Sequence, residues 1–218
     1  MSEIPISSRT DDVASRIARR ALAKRDADYT NEVRCLLDAA LDVMKQRGTT
    51  SRPRVADIVR AAGSSNEAFY RHFPSKDALV AALLEDGTER LHSYVAHQMS
   101  KEPTPEGRVR RWVQGVLSQA CEESAATTRA VLWNAGAVSE VSGSAAPAPS
   151  DRLAGLLSEP LRELGSADPA FDASLAAYAT FGKLGGYLWS GDQPTDRDVR
   201  RITAFCLRMF TPVNGESA

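Results

Sequence analysis

Cysteine is scarce in this chain: Cys35, Cys121 and Cys206 are the only three in 218 residues, and no two stand at metal-ligand or redox spacing. That excludes a disulfide scaffold and a thiolate metal site, and it predicts three buried free thiols in a reducing compartment. No apolar run reaches the roughly 18 residues needed to cross a bilayer, and residues 1–27 lack the apolar core of a signal peptide. The expectation is a cytoplasmic protein without a membrane partner. An excess of either charge is missing too. Twenty-seven basic residues face 28 acidic ones for a net charge of −1, so any attraction to a polyanion must come from local clusters. The usual signatures of catalysis are also lacking. There is no Gly-rich phosphate loop, nucleophile elbow or carboxylate–histidine metal set, and His92 and His97 lie five apart, a poor ligand spacing on a helix. Neither an enzyme nor a cofactor is expected. No strand alternation stands out, which leaves an all-α chain of about nine helices.

What is present concentrates between residues 55 and 79. Val55, Ile58, Val59 and Ala62 follow helical spacing, and Gly63 then supplies the permissive backbone of a sharp corner. Ser65 is placed to cap a new helix over residues 66–73, which is too short to be stable without packing from Ala68, Phe69 and Phe73. The other face of that helix carries Asn66, Glu67, Tyr70, Arg71 and His72. Two short helices joined by a Gly turn, the second polar outward, form a helix-turn-helix whose second helix fits a major groove. Pro74 stops this helix and Ser75 starts the next, so backbone N–H groups beside Lys76 make a phosphate clamp.

From about Thr30 to Asp86 the chain resembles the DNA-binding domain of the TetR family of transcriptional regulators. The residues that carry the likeness are Gly48 closing a first helix, Asp57-Ile58, Ala62-Gly63-x-Ser65, and Phe69-Tyr70-Arg71-His72-Phe73-x-Ser75-Lys76-Asp77-x-Leu79. Pro53-Arg54 stands where the family usually has a threonine opening the second helix, so Arg52 or Arg54 replaces that phosphate contact. The resulting DNA-binding set is Arg52, Arg54, Ser65, Asn66, Glu67, Tyr70, Arg71, His72 and Lys76. Tyr70, His72 and Lys76 are assigned to phosphates, whereas Asn66, Glu67 and Arg71 are candidates for base edges.

Three regions follow: a basic N-terminal extension over 1–27, the helix-turn-helix domain over 28–76, and a helical effector-binding and dimerisation domain over 77–218. The extension reads as a basic helix over 13–27, separate from a first family helix over 30–47. It either tracks DNA or stays a solvated segment. In the third region, Phe181, Gly182, Gly185, Tyr187 and Leu188 combine small residues with aromatic ones, and Ile202, Phe205 and Met209 line the last helix. The resemblance implies that these two helices join a homodimer. It also implies a small-molecule pocket in the middle helices, for which Met99, Trp112, Cys121, Trp133, Asn134 and Tyr178 offer apolar walls with a few polar handles. The reading is a repressor that binds a palindromic operator in double-stranded DNA and is released by a largely apolar or aromatic effector. The alternative is an effector-independent DNA-binding or architectural protein.

Overall fold

A computed structural model of the chain describes residues 13–142 and 148–208, and the side chains of 137–142 are not part of that description. Among the described residues there are ten α-helical segments and no strand. They are α1 (Val13–Arg47), α2 (Val55–Ala61), α3 (Asn66–His72), α4 (Lys76–Met99) and α5 (Pro105–Leu117), followed by α6 (Glu122–Ser142), α7 (Pro149–Ala154), α8 (Ser158–Glu163), α9 (Pro169–Ser190) and α10 (Asp196–Arg208). The segments α7 and α8 are linked by a single 3₁₀ turn, Gly155–Leu157. Together they make the one helix expected there, and the count becomes nine.

α1 departs from expectation. The predicted basic helix and the first family helix are one continuous 35-residue rod. The reason is local: no Gly or Pro occurs from 13 to 47, and nothing between Lys24 and Thr30 breaks a helix. The rod ends at Gly48, whose φ of 55° is the left-handed turn of a C-terminal cap. Its second half buries Leu36, Ala39, Ala40, Val43 and Met44, whereas every residue from 13 to 32 is exposed.

Two hydrophobic clusters result. One gathers Leu36, Ala40 and Met44 of α1, Ile58 and Val59 of α2, Phe69, and Leu79, Val80 and Leu83 of α4, and it takes in Ala130 and Ala135 of α6. The other is built around Trp112 and Val113 of α5, with Leu153, Leu157, Leu161 and the inward residues of α9 and α10. α4 and α6 belong to both, and so join the clusters.

The thiols differ from expectation as well. Only Cys206 is buried; Cys35 is exposed because it lies off the apolar stripe of α1, and Cys121 is exposed in the bend just before α6. Burial pushes the Cys206 thiol up to about 11. At pH 8 it therefore holds very little thiolate. We expect a maleimide to modify two thiols per chain in the native protein and the third only after denaturation. Three rapid modifications without denaturant would contradict the buried Cys206.

Candidate nucleic-acid interface and effector cavity

The short reading helix is fixed at both ends and from below. Gly63 takes φ 60°, a conformation costly for other residues, and so turns the chain out of α2. The Ser65 hydroxyl then accepts from the Ala68 backbone N–H at 3.1 Å. Phe69 is fully buried and anchors the seven residues of α3, which would not hold a helix in water. Behind it, the Ser75 hydroxyl accepts from the Ala78 N–H at 3.1 Å and starts α4 with Lys76 at its first position. An anion near Lys76 would meet both an ammonium and the positive end of a 24-residue helix.

The polar face of α3 divides. Asn66, Glu67 and Tyr70 are exposed to solvent, and Tyr70 is 57% accessible. Arg71 and His72 turn toward α1 instead. The Arg71 Nη2 donates to Glu32 Oε2 at 2.7 Å, and His72 Nε2 lies 2.8 Å from the same oxygen. The His72 side chain is enclosed, with the Tyr29 ring edge-on at 4.4 Å between centroids. Hydrogen bonds from His72 first and Arg71 second hold the Glu32 carboxyl below the ordinary carboxylate range. Tyr29 and Glu32 were not singled out in the sequence, where nothing in their spacing links them to residues some 40 positions away.

Arg54 is exposed at the N-terminus of α2, where Asp57 Oδ2 accepts from the Arg54 backbone N–H at 3.3 Å. Arg47 Nη2 donates to that same oxygen at 2.7 Å, tying the end of α1 to the start of α2. Arg52 lies with its guanidinium 5.6 Å over the Trp133 ring of α6. One proposed phosphate contact therefore touches the helix that also faces the interior cavity.

That cavity has a volume of about 940 Å³ and lies between α4, α6 and α9. Leu91, Val131, Leu132, Phe181, Leu184 and Leu188 give it apolar walls. Gln119, Thr127, Thr128 and the Asp86–Arg90 ion pair, 2.7 Å apart, add polar groups. The size falls within the range typical of small-molecule sites, about 300–1,000 Å³.

Of the six residues predicted for a pocket, the structure brings only Cys121 to this cavity. Trp112 and Met99 are core residues, and Trp112 Nε1 donates to the Leu153 carbonyl at 2.8 Å. Trp133 sits under Arg52. Asn134 is buried, its Nδ2 donating to the Ala130 carbonyl at 2.8 Å while its Oδ1 has no protein partner. Tyr178 is exposed, and its hydroxyl donates to Asp151 Oδ1 at 2.8 Å, a carboxylate contact that raises the phenol above its usual value.

Of the residues predicted for the dimer, Phe181, Gly185 and Leu188 line the cavity. Leu188 and Ile202 are buried within the subunit, Tyr187 is half-buried, and Gly182 and Phe205 are exposed. Met209 lies outside the described residues. The outer face of α9 instead presents Phe171, Leu175, Tyr178 and Trp189, each more than 40% exposed, and Phe205 of α10 is exposed as well. Their steps of 4, 3 and 11 with Gly182 between them trace one stripe of a helix.

Residues 36–83 match the model of the N-terminal region of "Bacterial regulatory proteins, tetR family". The HTH-type transcriptional regulator YvdT of Bacillus subtilis (strain 168) is 37% identical over 51 residues, 23% of this chain and 26% of YvdT. The chain thus aligns with about a quarter of that relative's length. Among solved structures, a TetR-family transcriptional regulator from Pectobacterium atrosepticum is similar over 84% of this chain and 92% of its own, at 24% identity and a TM-score of 0.58. The transcriptional regulator FadR from Bacillus subtilis, in complex with stearoyl-CoA, is similar over 82% of this chain and 97% of its own, at 16% identity and a TM-score of 0.53. At these identities the structures share the fold.

Proposed function

We propose that the chain is a DNA-binding transcription regulator of the TetR type, whose N-terminal family model matches residues 36–83, that it represses transcription by binding a palindromic operator as a homodimer, and that a largely apolar small molecule releases it. The observation that carries the reading is α3: seven residues anchored by Phe69, capped by Ser65, and presenting Asn66, Glu67 and Tyr70 beside the Lys76 helix start. The domains divide as a DNA-binding unit over 28–76 and an effector and dimerisation unit over 77–218, with 1–27 as an extension.

Asn66 and Glu67 read base edges, the amide pairing with adenine and the carboxylate accepting from a cytosine amino group. Tyr70, Lys76 and Arg54 hold phosphates, and Ser65 acts through its cap. Arg71 and His72, held on Glu32 of α1, act by fixing the angle of α3 instead of meeting the duplex directly. A dimer places two α3 helices about 34–36 Å apart, one turn of DNA, so the operator is an inverted repeat.

Two copies meet through the exposed stripe on α9 together with Phe205. The cavity lies against the other side of the same helix, at Phe181, Leu184 and Leu188. A ligand there pushes on α4, which begins at the phosphate clamp, and on α6, whose Trp133 touches Arg52. If it favours a subunit arrangement with misplaced reading helices, it weakens DNA binding by its ratio of affinities for the two states, typically about 1–3 kcal/mol. The apolar walls and polar groups fit an amphipathic effector. The fold likeness to FadR, which holds stearoyl-CoA, makes long-chain acyl compounds the first class to screen.

The test is selection of oligonucleotides by the purified full chain. An inverted repeat should emerge, and enrichment of no sequence would overturn the reading. On the selected operator, Lys76→Ala should weaken binding to all sequences alike and lower the slope of log K against log salt by about 0.9. Asn66→Ala should cost about 1–3 kcal/mol at one base position per half-site and leave the salt slope unchanged. Titrating an acyl-CoA series into the complex should release DNA; tighter binding would reverse the sign of the regulation.

A further inference from the structure

The first half of α1 has no counterpart in the DNA-reading unit just described. Residues 13–32 are exposed along their whole length, although they continue a helix whose second half is buried. Between 13 and 25 the chain carries Arg16, Arg19, Arg20, Lys24 and Arg25 and no acidic residue. The whole chain is nearly neutral, so this segment is its densest run of positive charge. The structure also shows where the rod departs. Tyr29 stands edge-on to His72 at 4.4 Å, and Glu32 binds Arg71 and His72 at 2.7 and 2.8 Å, so the exposed half of α1 begins at the C-terminal end of α3.

We propose that residues 13–28 form a basic strut that lies along the phosphate backbone of the DNA flanking each half-site. The proposal rests on the operator-binding reading above. At 1.5 Å per residue the sixteen residues reach roughly 24 Å, or about seven base pairs at 3.4 Å each. Because the strut is continuous with the helix that packs under α3, docking α3 in the groove also fixes where the strut goes. It needs no ordering step beyond side-chain placement. Its partner is chosen by charge: five cations against Asp26 and Asp28 leave the segment at a net charge of +3, which attracts the phosphates of any sequence and adds affinity without base preference. The exposed Val13, Ile17 and Leu22 on the same rod offer a second copy of the chain much less, since they are three scattered side chains beside repelling cations.

The experiment uses the full chain and its triple variant Arg20→Gln/Lys24→Gln/Arg25→Gln, in which glutamine keeps helix propensity. Far-UV circular dichroism checks that the helix persists. On the selected operator, the slope of log K against log salt should fall by about 2 to 3 units, near 0.9 for each lost contact. Hydroxyl-radical footprints should lose protection outside the half-sites, while the preferred sequence and its dependence on Asn66 stay as they were. An unchanged slope and footprint in a variant that still binds would overturn the strut. So would an unchanged slope with a shift in oligomeric state, which would assign the face to a second copy. Failure of the unaltered chain to bind any DNA would instead remove the operator reading, and the strut with it.

Discussion

Replacing Trp112 with alanine is expected to destabilise the protein by about 3–5 kcal/mol, the usual cost of emptying a fully enclosed aromatic site. Trp112 has no accessible surface, and its removal also takes one donor from the Leu153 carbonyl, which keeps the Gly155 N–H. For a chain of this size, at about 2–4 °C per kcal/mol, the melting temperature should fall by roughly 10 °C or more. Trp112→Phe, which loses the N–H but keeps much of the aromatic volume, should fall by clearly less. Differential scanning fluorimetry distinguishes them. A small shift in Trp112→Ala with a large loss of effector affinity would return Trp112 to the pocket where the sequence places it.

The second large effect lies on the outer face of α9. Leu175→Glu puts a carboxylate in the middle of the stripe formed by Phe171, Tyr178 and Trp189, a surface that is exposed in the single chain. Folding should therefore survive the change. Two such carboxylates buried across a two-fold axis should not be tolerated, because each is costly to desolvate without a partner. Sedimentation equilibrium should show a monomer. Operator affinity should drop by about 10²–10⁴-fold, the gain normally supplied by linking two half-site contacts. A variant that stays dimeric would show that this stripe is not the joint between subunits.

The helix-turn-helix was legible because its signals are short-range. Gly63, Ser65, Pro74 and Ser75 act on their own backbone neighbours, and each sits in the structure where its chemistry requires. The boundaries of α2, α3 and the start of α4 follow from them within a residue or two. The continuous α1 was less legible, since a junction between two helices is read from a breaker, and none separates residues 13 and 47. Placement across the fold was harder still. Periodicity shows that Trp112 faces inward, yet it cannot say which other helix it meets, and only packing separates a filled core from a cavity wall. On α9 the small residues Gly182 and Gly185 drew attention to one sector of the helix. The accessible aromatic stripe lies partly beside that sector, and Gly185, Phe181 and Leu188 turn toward the cavity instead. Glu32 was out of reach for a different reason: its partners come from a helix some 40 residues downstream.

The cluster that supports Phe69 draws Leu79, Val80 and Leu83 from α4 and Ala130 and Ala135 from α6. A fragment cut just after the reading helix would thus leave Phe69 with half its surroundings missing. Rebuilding this protein by grafting its DNA-reading module onto another sensor would demand matched counterparts to α4 and α6. Homologous exchange would have to respect that seam, so α1 to α3 would have to travel together with α4 and α6.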